Sequence, residues 1–184
     1  MSGHYTRLNW CRQKLCLTRN LNKDIKSWLF DSGSLTARLI NGCDNGFSVK
    51  LLSVRRATPT PDEKEALGLA ARSQAVIREV LLLCNDKPVV YARTVIPVSS
   101  LRGALRGLAL LGNKPLGAVL FSDKSMLRKP VEVTSVSADH KCYQWMQYKG
   151  AEKIYGRRSV FVLKGEELLV SEFFLPRLFA KNKD

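Results

Sequence analysis

The chain has 184 residues, 45% of them hydrophobic and 8% aromatic, and its 30 Lys and Arg against 16 Asp and Glu leave a formal charge of +14. A chain of this length can bury a core without staples, so residues 1–184 are read as one domain with peripheral ends at 1–20 and 177–184. No apolar run approaches the roughly 20 residues of a bilayer span, which argues against stable membrane insertion, and the start MSGHYTRLNWCRQK lacks the apolar stretch of a secretory signal. A cytoplasmic location is the expectation. Five cysteines at irregular spacing, Cys11, Cys16, Cys43, Cys84 and Cys142, are expected to be reduced thiols rather than a disulfide framework. The basic excess is +7 over residues 1–60, +5 over 61–130 and +2 over 131–184, without a run of five or six like charges. Spread in this way it does not call for nucleic acid. Small anionic substrates, or peripheral contact with an anionic membrane surface, would be served equally well.

Along the chain, Leu21, Ile25, Trp28 and Leu29 recur at helical spacing and predict a short helix that stops near Asp31-Ser32-Gly33. Ser34 can cap a second helix from Leu35 to Asn41, closed by Gly42, which makes a helical hairpin. Phe47 to Arg56 reads as a strand. Thr60-Pro61-Asp62-Glu63 is a capping box with proline at the first helical position, opening a brief helix to about Leu69. Ala75 to Cys84 and Pro88 to Pro97 flank the turn signal Asn85-Asp86-Lys87 and predict a β-hairpin. Ser99 or Ser100 caps a helix through Leu111, ended by Gly112, and Pro115 opens another to Phe121, a second helical hairpin. Val131 to Val136, Tyr155 to Leu163 and Glu167 to Leu175 are further strands, the last two joined around Lys164-Gly165. The order predicts an α+β domain with a single antiparallel sheet of five or six strands and short helices. Ser137 to Lys153, with Tyr143, Trp145 and Tyr148, reads as a peripheral hairpin or loop.

Several chemistries lack their residues. His4 and His140 have no second ligand at metal spacing and no triad partners, and neither phosphate-cradling glycine motif is present. No metal or cofactor is expected. The informative residues emerge from strand parity. In Val76, Arg78, Val80, Leu82 and Cys84, which share one side of a strand, Arg78 is the lone polar member. Glu172 stands in the same way among Leu168, Val170 and Phe174, and Arg93 among Val89, Tyr91 and Val95. Burying an unpaired ion costs several kcal/mol, so such groups must be paired with each other, with water or with a ligand. If all three face one cavity, two bases and one acid leave a positive hole that a carboxylate would neutralise, and arginine offers the fork that holds it. A plain Arg78–Glu172 ion pair, or an Arg78 reaching solvent from an edge, are the structural alternatives.

The runs Ile77-Arg78-Glu79-Val80-Leu81-Leu82-Leu83-Cys84, Arg93-Thr94-Val95-Ile96-Pro97-Val98-Ser99, Leu110-Leu111-Gly112-Asn113-Lys114-Pro115-Leu116-Gly117, Tyr155-Gly156-Arg157-Arg158-Ser159 and Leu169-Val170-Ser171-Glu172-Phe173-Phe174-Leu175-Pro176 resemble chorismate pyruvate-lyase in order and spacing. The resemblance spans about Trp28 to Pro176 and implies cofactor-free cleavage of chorismate to 4-hydroxybenzoate and pyruvate, toward ubiquinone. It also implies a monomer and two helical hairpins acting as flaps over a buried pocket. Carried over by residue, it implies that Arg78 binds the ring carboxylate and Glu172 the ring hydroxyl, with backbone groups of Leu35 and Leu116 completing the pocket. Arg93 is then expected near the enolpyruvyl carboxylate, and Glu172 and Arg78 are the candidate catalytic pair. Leu35 stands where a methionine can occur, and the 137–153 segment is longer than the family pattern suggests. The rival expectation is a non-catalytic domain of the same fold that binds a small aromatic acid as an effector. The roughly twenty residues before Leu21 are too few for the helix-turn-helix such a module would serve.

Overall fold

The computed structural model describes residues 7–12, 21–44, 46–101 and 103–180. In chain order the strands are β1 (Cys11–Arg12), β2 (Phe47–Ala57), β3 (Ala75–Cys84), β4 (Lys87–Pro97), β5 (Leu127–Arg128), β6 (Glu132–Val136), β7 (Ile154–Leu163) and β8 (Glu166–Phe174). The helices are α1 (Lys23–Leu29), α2 (Leu35–Gly42), α3 (Pro61–Ala66), α4 (Gly103–Ala109) and α5 (Leu116–Ser122). Among the described residues the strands make one sheet in the order β1-β6-β7-β8-β4-β3-β2, with β5 paired to β7, and every pairing is antiparallel. The six strands expected from periodicity are all present, and the two-residue β1 and β5 extend the sheet to eight. Asn85 and Asp86 take φ of 49° and 62°, and Lys164 and Gly165 take 52° and 84°. Positive φ at both central residues is what a tight hairpin matched to right-handed strand twist requires, and Asn, Asp and Gly tolerate it best.

Each sheet face carries its own layer. On the inner face, Leu29, Leu35 and Leu39 of the α1–α2 hairpin pack on Val80, Leu82, Val90 and Phe174. Beside them Leu105, Leu108, Leu116 and Leu120 of the α4–α5 hairpin pack on Ile96, Phe161, Leu168 and Val170. On the outer face, Leu81, Tyr91 and Phe173 meet Cys142, Tyr143 and Met146, with Trp10 packed against them. The 137–153 segment is therefore not a peripheral loop. It folds into a 3-10 helix at Lys141–Met146, capped by His140, and the Tyr143 hydroxyl donates to the carbonyls of Gly150 (3.0 Å) and Glu152 (2.8 Å). Its apolar residues recur at a spacing that buries three side chains, which is why it covers a sheet face.

Element boundaries move for local reasons. α1 starts at Lys23 because the Asn22 side chain caps it by accepting from the Asp24 N–H. The helix expected from Ser99 or Ser100 through Leu111 divides into a 3-10 turn at Val98–Ser100 and α4, since Leu101 at φ −73° and ψ 56° has left the helical region. The thiol expectation is corrected more sharply. Cys43, at the C-cap of α2, and Cys84, the last residue of β3, form a disulfide with Cα atoms 5.3 Å apart, and Cys11 is also disulfide-bonded. A separation of 41 residues carries no motif, so only the packing of α2 against β3 brings this pair together.

The outer face also holds an ion network. Arg93 Nε donates to Glu63 Oε1 at 2.6 Å and its Nη1 to Glu79 Oε1 at 2.9 Å, while Tyr91 Oη and Ser53 Oγ each donate to Glu79 at 2.6 Å. Burial pushes the Glu79 carboxyl up, and the Ser53 and Tyr91 hydroxyls with the Arg93 and Arg55 guanidiniums more than reverse this, holding it at about 2 against an ordinary 4.5. A depressed carboxylate contributes stability that is fully present above its unfolded value and is lost as pH falls through its folded value. We therefore expect Glu79 to contribute roughly 3 kcal/mol at neutral pH, fading between about pH 4.5 and 2. Urea denaturation of Glu79→Gln should show a loss of that order at pH 7 and a flatter acid limb than the parent; equal acid limbs would remove Glu79 as the source.

Candidate active site

Between the inner sheet face and the two helical hairpins lies a cavity lined by the starts of α2 and α5 and by the strands beneath them. Apolar side chains make most of its wall, among them Val80, Leu82, Ala92, Leu120, Phe161 and Val170. Its charged residues are Arg78, Arg128, Arg157 and Glu172. Leu35 and Leu116 line it as the first residues of α2 and α5, positions at which a backbone N–H has no acceptor within its own helix.

Arg78 is 2% exposed and pairs with no carboxylate among the described residues. Its Nη2 donates to the carbonyls of Gly112 (2.8 Å) and Lys114 (2.9 Å) in the turn between α4 and α5, and its Nε is buried without a hydrogen-bond partner. Burial lowers its pKa from the usual guanidinium value, yet arginine stays charged throughout ordinary pH. A buried cation with a free donor is a costly arrangement unless an anion completes it.

Glu172 sits across the sheet. Ala92 lies opposite Glu172 and Thr94 opposite Arg78, so β4 separates the two, with a two-residue offset along it. Strand spacing and rise put their Cα atoms about 12 Å apart, at the two ends of the slot. Arg157 Nε donates to Glu172 Oε2 at 2.5 Å, and Arg157 Nη1 donates to the carbonyls of Trp28 (2.9 Å) and Asp31 (2.7 Å). A direct Arg78–Glu172 ion pair is thereby ruled out. The cavity's three guanidiniums and one carboxylate leave a net charge of +2.

Arg93, expected near the enolpyruvyl carboxylate, is not in the cavity. Directly opposed residues of an antiparallel pair share a face, and Arg93 opposes Glu79 and Ser171 while Arg78 opposes Thr94. Arg93 therefore points to the outer face and is satisfied by Glu63 and Glu79. Two cavity residues escaped the sequence reading. Arg157 shares a face with Tyr155 and Ser159, and parity applied to the Gly-Arg-Arg-Ser run puts one of its two arginines on the cavity face without saying which; its neighbour Arg158 turns outward to Asp62 and Glu132. Arg128 lies on a strand of two residues, too short for any period.

Fold and site together define a small-molecule cavity between one sheet face and two helical hairpins, mostly apolar and cationic. The chain belongs to the chorismate lyase family, whose model matches residues 7–184. It is 42% identical to a probable chorismate pyruvate-lyase of Aromatoleum aromaticum over 84% of this chain and 85% of that one. It is 40% identical to a probable chorismate pyruvate-lyase of an Azoarcus species over 90% of this chain and 91% of the relative. The fold is also similar to a GntR-family transcriptional regulator from Bacillus cereus, with a TM-score of 0.54 at 14% identity over 76% of this chain and 98% of that one. No helix among the described residues is long and apolar enough to cross a membrane.

The lids meet each other at Gly117 of α5, where an added Cβ would stand 2.7 Å from the Thr36 Oγ1 of α2. Thr36 is buried, so its hydroxyl has little room to yield. Gly117→Ala should wedge the lids apart and weaken 4-hydroxybenzoate binding about tenfold by calorimetry, at nearly unchanged melting temperature. Unchanged affinity would mean that this contact does not hold the lids shut.

Proposed function

We propose that this chain is a cofactor-free chorismate pyruvate-lyase that releases 4-hydroxybenzoate and pyruvate, acting in the cytoplasm as a monomer on the way to ubiquinone. The observation that carries the reading is the buried, partnerless Nε of Arg78 in an apolar cavity that has an ion-paired glutamate at its far end. Family membership supplies the chemistry that such a slot fits. Arg78 holds the ring carboxylate, Glu172 receives the ring hydroxyl, and the first N–H groups of α2 and α5, at Leu35 and Leu116, complete the contacts. The bond to Arg157 aims Glu172, so that it orients the hydroxyl and can take up a proton.

Cleavage needs little from the protein beyond this. Loss of the ether and of the hydrogen on the hydroxyl-bearing carbon makes the ring aromatic, which supplies the driving force. Holding the reactive conformer away from water and stabilising the departing oxygen account for the rest. Purified protein mixed with chorismate should yield equal amounts of 4-hydroxybenzoate and pyruvate. A protein that binds 4-hydroxybenzoate yet leaves chorismate intact would instead be an effector-binding module of this fold.

Arg78→Ala should lower the affinity for 4-hydroxybenzoate and the kcat/KM for chorismate by about a hundredfold or more, because it removes one partner of a buried ionic contact. Retained affinity in that variant would place the carboxylate elsewhere. Since both lids must part for product to leave, pre-steady-state mixing should show a burst of about one product per chain followed by a slower phase. A linear time course without product inhibition would count against lid-limited release.

A further inference from the structure

We infer that Arg128 holds the second carboxylate of the substrate, that of the enolpyruvyl ether, at the Glu172 end of the cavity and stabilises the departing group; this rests on the chorismate reading above. β5 sets Arg128 opposite Phe161, and its guanidinium lies 5.4 Å from the Phe161 ring centroid. Its Nε donates to Ser159 Oγ at 3.0 Å, and its Nη1 donates to the carbonyls of Asp31 (3.2 Å) and Ser32 (3.3 Å) in the turn between α1 and α2. These contacts fix the plane of the guanidinium on the cavity wall and leave Nη2 without a hydrogen bond among the described residues.

The charges on the cavity wall assign the role. Arg157 is answered by Glu172, and Arg78 by the ring carboxylate that substrate and product share. Among the cavity's lining residues Arg128 then carries the one positive charge that 4-hydroxybenzoate, a monoanion, cannot meet. Chorismate is a dianion, and its extra carboxylate sits on the ether side chain next to the ring hydroxyl, the end at which Arg128 stands. In the elimination the bond from ring carbon to ether oxygen breaks, and its electron pair goes to the enolpyruvyl oxygen. The hydrogen on the neighbouring hydroxyl-bearing carbon leaves as a proton, its bonding pair completes the aromatic ring, and a proton gained at the enol methylene gives pyruvate. Negative charge builds on the departing oxygen beside the carboxylate. A guanidinium held there interacts more strongly with the transition state than with the ground state.

The test compares Arg128→Ala and Arg128→Lys with the parent protein, by steady-state kinetics on chorismate and by equilibrium binding of 4-hydroxybenzoate. Because Arg128 also grips the first lid's turn, truncation can loosen the lid for both ligands, and the product measurement isolates that effect. The expected result for Arg128→Ala is a fall in chorismate kcat/KM of about a hundredfold with less than about a threefold change in product Kd. Arg128→Lys, which keeps the charge without the fork, should recover part of the loss and supplies the comparison if the alanine variant fails to fold. Equal losses for both ligands would make Arg128 a lid anchor only, and no loss in either would place it beyond the substrate's reach; each overturns the inference. Intact chorismate with the parent protein would overturn the reading beneath it, which is a separate result from either pattern in the variants.

Discussion

The site depends on a shortage of carboxylates. Three guanidiniums, Arg78, Arg128 and Arg157, project from the inner sheet face into an apolar cavity, and Glu172 is the one carboxylate among its lining residues. Burial of a cation is tolerated only where dipoles or charges replace water. Here the dipoles come from the lids. Arg78 takes the carbonyls of Gly112 and Lys114 in the second lid's turn, Arg157 takes those of Trp28 and Asp31, and Arg128 takes those of Asp31 and Ser32 in the first. The lids therefore sit on the sheet partly because the sheet's cations need their carbonyls, and one fully buried donor of these arginines, Arg78 Nε, is left over among the described residues.

The opposite face shows what the same chemistry looks like without a vacancy. There Arg93 and Arg158 meet Glu63, Glu79, Asp62 and Glu132, with Trp10 and Trp145 stacked over the guanidiniums at 4.5 and 4.8 Å. Asp62 and Glu63 come from α3, whose capping box commits Glu63 Oε2 to the Thr60 N–H while Oε1 takes Arg93. Each of these charges is met by protein. One sheet thus carries a saturated, structural ion network on one face and an unsaturated, ligand-seeking one on the other, and sequence composition alone cannot tell them apart.

Strand parity reached Arg78 and Glu172 because each is the lone charge in an apolar alternation, and that alternation is dictated by the pleat. It failed for Arg93 because parity says which residues of a strand share a side, without saying which side faces the lids. That information lies in the register, where Glu79 opposes Arg93 and Thr94 opposes Arg78. The Cys43–Cys84 bridge was illegible for the same reason, since it is a product of α2 docking on β3. Capping residues marked two helix starts well: Ser34 and Thr60 cap as their side chains predict. The Arg157-Arg158 doublet was half legible, because on a strand the two side chains must part to opposite faces, and only the pairing of Arg157 with Glu172 says which one turns inward.

The sharing of cations between lids and ligand ties binding to closure. An anion that satisfies Arg78 also steadies the guanidinium that carries the Gly112 and Lys114 carbonyls, and a group hydrogen-bonded to Glu172 does the same through Arg157 for Trp28 and Asp31. Opening a lid over an occupied cavity would then cost both the carbonyl contacts and part of the ligand contacts. By reciprocity, whatever tightens the lids tightens the ligand to the same extent. The Cys43–Cys84 disulfide ties the end of α2 to β3, and Arg128 and Arg157 hold the other end of the first hairpin at Asp31 and Ser32. The contacts that hold the hairpins to the sheet and the cations that would hold a ligand are in this way made by the same few residues.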